Sequence, residues 1–68
     1  MHRIMIGKRV LDFRLEHGIS QREFGDMLGV TSQAVSKWER GVCCPDISLL
    51  PELCTVLGVE MQKLFGNE

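Results

Sequence analysis

Residues 20–41 read SQREFGDMLGVTSQAVSKWERG, and this stretch decides the fold. It opens with Ser20, which Glu23 follows three residues later. That spacing is a capping box, in which each side chain accepts a hydrogen bond from the backbone amide of the other residue. Gly29 ends the helix after about two turns, because glycine readily adopts the left-handed conformation that terminates a helix. The first half of the stretch therefore predicts a short, well-capped helix.

A second short helix follows after a tight turn. Thr31 is placed to cap it, and it is expected to run from Ser32 to about Arg40, with Gly41 as its stop. A glycine-bearing turn of this length lets two helices cross steeply, so that the second one projects outward. Residues 20–41 therefore predict two helices joined at a steep angle.

Apolar residues at helical spacing extend the pattern on both sides of this pair. They are Ile6, Val10 and Phe13 before Gly18, and Leu49, Leu50, Leu53, Cys54 and Leu57 before Gly58. Ser48 is the expected N-cap of the fourth helix, and Pro51 falls in its first turn, where a missing amide proton costs little. A last short helix is expected around residues 61–65. With no strand-like alternation, the sequence predicts one all-α domain over residues 1–68, compact and built of five helices.

Length and charge limit the classes of function. A 68-residue chain has room for one core. The formal net charge is −1, but residues 1–40 carry seven basic and five acidic groups, whereas residues 41–68 carry one basic and four acidic groups. This division suits a protein that turns one face to a polyanion. No nucleophile–base set or phosphate-cradling loop is visible, so the sequence predicts a protein that is not an enzyme.

The cysteines and the apolar runs indicate where in the cell the protein works, and they indicate no metal-binding site. Three cysteines, Cys43, Cys44 and Cys54, make no disulfide framework, and adjacent cysteines are awkward ligands for one metal ion. Neither a metal nor a cofactor is therefore expected. No apolar run approaches the roughly 20 residues that span a bilayer. The expectation is a cytoplasmic protein with reduced thiols and no membrane partner.

The second helix of residues 20–41 carries the chemistry. Val35 and Trp38 form the side that docks on the core, while a polar set falls on the other side. That set is Ser32, Gln33, Ser36, Lys37 and Arg40. Gln33 can pair with an adenine edge and Lys37 can donate to guanine, so this face suits the major groove of double-stranded DNA. The serines are short enough to allow close approach, although Ser36 fits a plain surface residue equally well.

Backbone contacts to DNA are expected around this helix. Gln21 begins the first helix of the pair, where a helix N-terminus can be aimed at a phosphate. Arg40, at the far end of the second helix, is a candidate phosphate clamp, and Thr31 lies between the two helices and joins the phosphate set.

Taken in register, residues 6–65 resemble the Cro/repressor-type helix-turn-helix family of phage and bacterial regulators. The matching residues are Arg14, Ile19-Ser20-Gln21, Gly29-Val30, Val35, Lys37-Trp38-Glu39-Arg40-Gly41, Pro45, Leu50, Leu53 and Leu57-Gly58-Val59. The resemblance implies a five-helix domain of a bacterial or phage protein whose third helix enters the major groove, commonly as a homodimer on a palindromic operator.

The resemblance also implies residue roles. Gln21 would contact phosphate, Ser32, Gln33 and Lys37 would read bases, and Arg14 would pair with Glu39. One departure is Gly25, where the family usually has alanine; glycine allows close helix approach but costs about 1 kcal/mol in helix propensity. The acidic net charge is a second departure.

Two questions stay open from the sequence. A homodimer would use Met61, Leu64 and Phe65, although Leu64 fits the monomer core equally well. The acidic second half also leaves room for an alternative function, an antitoxin-like module that uses the same fold to bind a protein partner. Salt dependence separates the two functions, because only DNA binding through phosphates weakens steeply with salt.

Overall fold

A computed structural model describes residues 6–64 of the chain, apart from the side chain of Lys63. Within that range the elements are α1 (Ile6–His17), α2 (Gln21–Leu28), α3 (Ser32–Glu39), a 3₁₀ turn (Ile47–Leu49), α4 (Leu50–Leu57) and α5 (Met61–Leu64). No strand occurs between residues 6 and 64, so the all-α prediction is confirmed. None of these helices is both long and apolar enough to cross a membrane.

The predicted five helices are found only in part. Four helices of eight residues or more form the body of the described domain, and a single four-residue turn, α5, stands in fifth place. Ser48 is not the N-cap of α4, as the sequence predicted. The N-cap position of α4 is Leu49, which makes no side-chain cap. Asp46 instead caps the 3₁₀ turn before α4, where its carboxylate accepts from the amide of Ser48. Pro51 does lie in the first turn of α4.

One ending recurs at the C-terminus of α1 to α4, a glycine followed by isoleucine or valine. At α3, Gly41 has a φ of 74° and its amide donates to Trp38 O at 3.1 Å. The amide of Val42 then donates to Lys37 O at 2.9 Å. This pair of bonds is a Schellman motif, which satisfies carbonyls that a helix end leaves open. The corresponding residues of the other three endings, Ile19, Val30 and Val59, pack against the core, whereas Val42 is 61% exposed.

The core joins all five helices. Its five most deeply enclosed side chains are Val10, Phe24, Val35, Leu53 and Leu64. Leu64 is 0% exposed, so it belongs to the monomer core, and its assignment to a dimer contact is wrong. Met61 remains exposed, and Phe65 lies outside the described residues.

Two glycines let the helices approach closely. A Cβ atom on Gly25 of α2 would lie 2.6 Å from Val30 O, a backbone atom that cannot swing away. A Cβ atom on Gly7 of α1 would collide with Trp38 O at the end of α3. The turn after α2 folds back onto Gly25, so a side chain at this position would meet backbone atoms. These contacts fix α3 against both α1 and α2.

Candidate nucleic-acid interface

The pair α2 and α3 is built as the sequence predicts. Glu23 Oε1 accepts from the amide of Ser20 at 2.8 Å, and Ser20 Oγ accepts from the amide of Glu23 at 3.0 Å, which completes the capping box. Gly29, with a φ of 76°, ends α2. Thr31 then starts α3 by accepting from the amide of Ala34 at 3.2 Å. The link between the two helices is thus reduced to three residues, with hydrogen bonds fixing both of its ends.

Helix α3 docks through one side and leaves the other outside. Val35 is 0% exposed and Trp38 is 5% exposed, so both are in the core as predicted. Gln33, Lys37 and Arg40 are exposed. The opposite burial of these two sets follows from their positions on a helix with 3.6 residues per turn.

Short hydrogen bonds organise the outer face of α3. Ser32 Oγ donates to Gln33 Oε1 at 3.3 Å, which leaves the amide nitrogen of Gln33 for another partner. Arg40 Nε donates to Ser36 Oγ at 3.3 Å. Ser32 and Ser36 are half-buried, so the outermost groups on this face are Gln33, Lys37 and Arg40. The face offers amide, ammonium and guanidinium donors within two turns of helix.

A network of charged and amide groups connects α3 to α1 and α2. Arg14 of α1 donates to Glu39 of α3 through Nε (2.7 Å) and Nη2 (3.0 Å), the bidentate geometry of a strong ion pair. Arg14 Nη1 also donates to Ile19 O at 3.1 Å. The ion pair implied by the family resemblance is therefore present, with side chains only 14% and 8% exposed.

Gln21 joins this network, which the sequence did not reveal. Its Nε2 donates to Glu39 Oε1 at 3.0 Å, the same oxygen that accepts from Arg14. A side-chain amide has two N–H groups and a carbonyl oxygen, so one N–H and the oxygen remain for a phosphate or a water. No local pattern signals a bond between residues eighteen positions apart. Its discovery required the tertiary structure.

The network sets the ionisation of its members. Burial by itself would raise the pKa of Glu39, but hydrogen bonds from Arg14 and Gln21, together with the charge of Arg14, outweigh burial and hold that pKa below its ordinary value. The hydrogen bond to Glu39 raises the pKa of Arg14. Both groups therefore stay charged at neutral pH, and their charges compensate each other within the protein.

The geometry defines a helix-turn-helix unit: a capped first helix, a tight glycine turn, and a second helix docked by one side with a cationic and amide-bearing face outside. The sequence pattern of the helix-turn-helix family matches residues 10–64. The chain belongs to that family.

Known proteins similar to this chain carry regulatory names. It is 40% identical over 60 residues to the SPbeta prophage-derived uncharacterized HTH-type transcriptional regulator YonR of Bacillus subtilis, covering 88% of this chain and 56% of YonR. It is 36% identical over 61 residues to the HTH-type transcriptional regulator PuuR of Escherichia coli, covering 90% of this chain and 33% of PuuR. The chain thus spans between a third and about half of the length of these two relatives.

Among solved structures, the P22 c2 repressor protein in complex with synthetic operator 9T is similar to the described fold. The TM-score is 0.82 at 30% sequence identity, covering 93% of this chain and 96% of that protein.

Proposed function

We propose that this chain binds double-stranded DNA sequence-specifically, with α3 in the major groove, and acts as a cytoplasmic transcriptional repressor on a palindromic operator. The outer face of α3 carries the proposal, because it presents base-reading groups on a helix whose other side is fixed in the core by Val35 and Trp38. The similarity to a repressor bound to an operator supports the same mode of binding.

Base reading falls to the first two turns of α3. Gln33 would pair with an adenine, using the amide nitrogen that its contact with Ser32 leaves available. Lys37, one turn further along, would donate to guanine O6 or N7. Ser36 would contribute through the hydroxyl to which Arg40 already donates.

Phosphate contacts are expected on either side of the base-reading residues. Gln21 keeps one amide N–H beyond the bond to Glu39, and that N–H lies at the N-terminus of α2, where a phosphate is favoured. Thr31 and Arg40 lie at the two ends of α3, where a helix in the groove meets the backbone. Because Glu39 holds the Gln21 amide, the ion pair with Arg14 also positions a DNA contact.

A second copy of the chain would complete the operator reader. Helix α3 has eight residues, so it is about 12 Å long and reaches only three or four base pairs. A homodimer on half-sites one helical turn (about 34 Å) apart doubles that reading. Met61, exposed on α5, and Phe65 are the proposed dimer contact, now without Leu64.

Selection of bound duplexes from a random DNA pool tests the proposal. The wild-type chain should recover a palindrome with half-sites about ten base pairs apart. On that duplex, Gln33→Ala should weaken binding by about 1–3 kcal/mol, roughly 5- to 150-fold, and relax one base position. Leu15→Ala, which truncates an exposed, uncharged side chain on α1 away from every proposed contact, is the control and should leave binding unchanged.

Salt dependence separates the proposed function from the alternative of protein binding. Affinity for the selected duplex should fall steeply between about 50 and 200 mM salt. Lys37→Ala should weaken binding, and Arg40→Ala should reduce the slope of log affinity against log salt by about 1. A sequence-blind pool together with a salt-insensitive protein partner would contradict DNA reading and favour the antitoxin-like module.

A further inference from the structure

Two adjacent thiols, Cys43 and Cys44, lie four and five residues after the end of α3. Cys43 and Cys44 are both exposed, whereas the third cysteine, Cys54, is half-buried and its Sγ lies 3.8 Å from Met61 Sδ. The proposed DNA contacts use neither Cys43 nor Cys44. An exposed pair of neighbouring thiols is a reactive feature, because thiolates are strong ligands and nucleophiles where solvent reaches them.

The backbone of this pair is held at both ends. On one side, the amide of Val42 donates to Lys37 O at 2.9 Å, and the amide of Cys43 approaches the same oxygen at 3.5 Å. On the other side, Pro45 is buried. The two sulfur atoms are therefore carried on a short, anchored segment rather than on a free tail, and this segment is bonded to the carbonyl of a proposed base-reading residue.

The geometry of the pair restricts what can join the two sulfurs. The Cα atoms of adjacent residues are about 3.8 Å apart across a trans peptide, below the roughly 4.4–6.8 Å range usual for disulfides. A direct S–S bond is therefore disfavoured, whereas one larger atom between the sulfurs lets them stay further apart. Within residues 6–64 no group of three or more His, Cys, Asp or Glu side chains is arranged to hold a metal ion. A zinc ion, which takes four protein ligands in structural sites, is thus a poor match.

We propose that Cys43 and Cys44 form a chelating site for a soft, thiophilic centre that needs only two thiolates, such as a monosubstituted trivalent arsenical. Soft centres prefer thiolate ligands. In the reaction, R–As=O meets the two thiols, two As–S bonds form, and both thiol protons leave with the oxygen as one water. Arsenic keeps its +3 state and its bond to carbon, so no oxidant or reductant is needed.

Binding at this site should alter the backbone at the C-terminal end of α3. Chelation closes a ring across the Cys43–Cys44 peptide, one residue beyond the amide that bonds Lys37 O. Val42 offers little resistance, because it is 61% exposed instead of packing on the domain as the corresponding residues of α1, α2 and α4 do. The exchange rate of the Val42 amide proton should therefore change on binding.

The experiment titrates the reduced full chain with phenylarsine oxide in the absence of DNA and counts free thiols with a disulfide reagent. One equivalent should remove two of the three thiols, ethane-1,2-dithiol should restore them, and a monothiol at equal thiol concentration should not. Cys43→Ser and Cys44→Ser should each weaken binding by about 100-fold or more, since the second bond of a chelate forms at high effective concentration. Cys54→Ser is the matched control and should bind like the wild type, and Zn²⁺ should not compete.

Four results would contradict the proposed two-thiolate site. They are independent reaction of the three thiols, retention of tight binding in either loop variant, loss of tight binding in Cys54→Ser, and arsenical-linked dimers in place of a one-to-one adduct. An unchanged melting temperature of the two loop variants establishes that lost binding is not lost folding. Because no DNA is present, failure here leaves the proposed operator binding untouched, and failure of operator binding leaves this site untouched.

Discussion

The ion pair between α1 and α3 offers the sharpest test of how this domain is held together. We consider Arg14→Met, Glu39→Leu and the double substitution. Each single change leaves a charge 14% or 8% exposed without its partner, and Glu39→Leu also removes the acceptor of the Gln21 amide. The double change replaces both charges by apolar side chains, although Ile19 O then loses its donor.

The expected magnitudes are large for so small a domain. Removing one partner of this partly buried pair should cost about 1.5–3 kcal/mol, because the hydrogen bonds to the remaining charged group are lost. At about 0.05–0.15 kcal/mol per residue, a chain of this length has a free energy of unfolding of about 3–10 kcal/mol. Each single variant should therefore melt about 6–24 °C lower, at about 4–8 °C per kcal/mol. The double variant should be milder than either single one, since no charge is stranded.

Urea unfolding followed by Trp38 fluorescence measures these differences. The chain has one tryptophan, and it is 5% exposed, so its emission reports the opening of the core. Variants that are too unstable in buffer can be compared in added sulfate, which strengthens burial. The Lys8–Asp12 pair, at 2.9 Å with side chains 64% and 58% exposed, is the matched control. Removing that pair should change the free energy of unfolding by less than about 0.5 kcal/mol.

Two results would contradict a stabilising ion pair: single effects that add in the double variant, or single effects that each stay below about 1 kcal/mol. Additive effects would mean that the two charges do not stabilise each other. Small effects would mean that water reaches both groups in the folded state. A coupling above about 1.5 kcal/mol, in the upper half of the range for residues in contact, is the supporting result.

Two further predictions concern acid stability and the close approach of α2. The pKa of Glu39 is lower in the folded protein than in the unfolded chain, so its stabilising effect is complete above the unfolded pKa and is lost as pH falls through the folded pKa. The melting temperature should therefore drop in acid. The drop should be shallower in the Arg14→Met/Glu39→Leu variant, which lacks this carboxylate. Gly25→Ala should destabilise the domain despite a gain of about 1 kcal/mol in helix propensity, because the new Cβ meets Val30 O at 2.6 Å. Met27→Ala, at an exposed position of the same helix, is its control in thermal unfolding, and equal stability of wild type and Gly25→Ala would show that the turn can move away.

Local signals were enough to predict the helix pair. The capping box of Ser20 and Glu23 and the threonine cap of α3 act within four residues, so their pattern is visible in the sequence and the structure contains both. The docking of Val35 and Trp38 follows from helical period alone. These features were predictable because each depends on residues close together in the chain.

The errors come from choices that the tertiary structure makes. Asp46 and Ser48 are both good caps, and two positions separate them, so the sequence did not indicate that the aspartate would start a 3₁₀ turn first. Leu64 is an apolar side chain near a helix end, which serves a core or a dimer equally well until its neighbours are known. The bond from Gln21 to Glu39 depends on how α2 crosses α3, and no spacing rule contains that angle.

The burial of Leu64 also has a consequence during protein synthesis. The core includes Phe24, Val35 and Leu64, so it cannot close until the ribosome has released the last of these. Helical domains with mostly local contacts fold in microseconds to milliseconds, whereas translation adds about 5–20 residues per second. Helices of eight residues are too short to persist alone in water, so α2 and α3 lack their complete core for about one to five seconds while residues 40–64 are added. The moment at which the core of this domain is completed is therefore set by the rate of translation and not by its own folding rate.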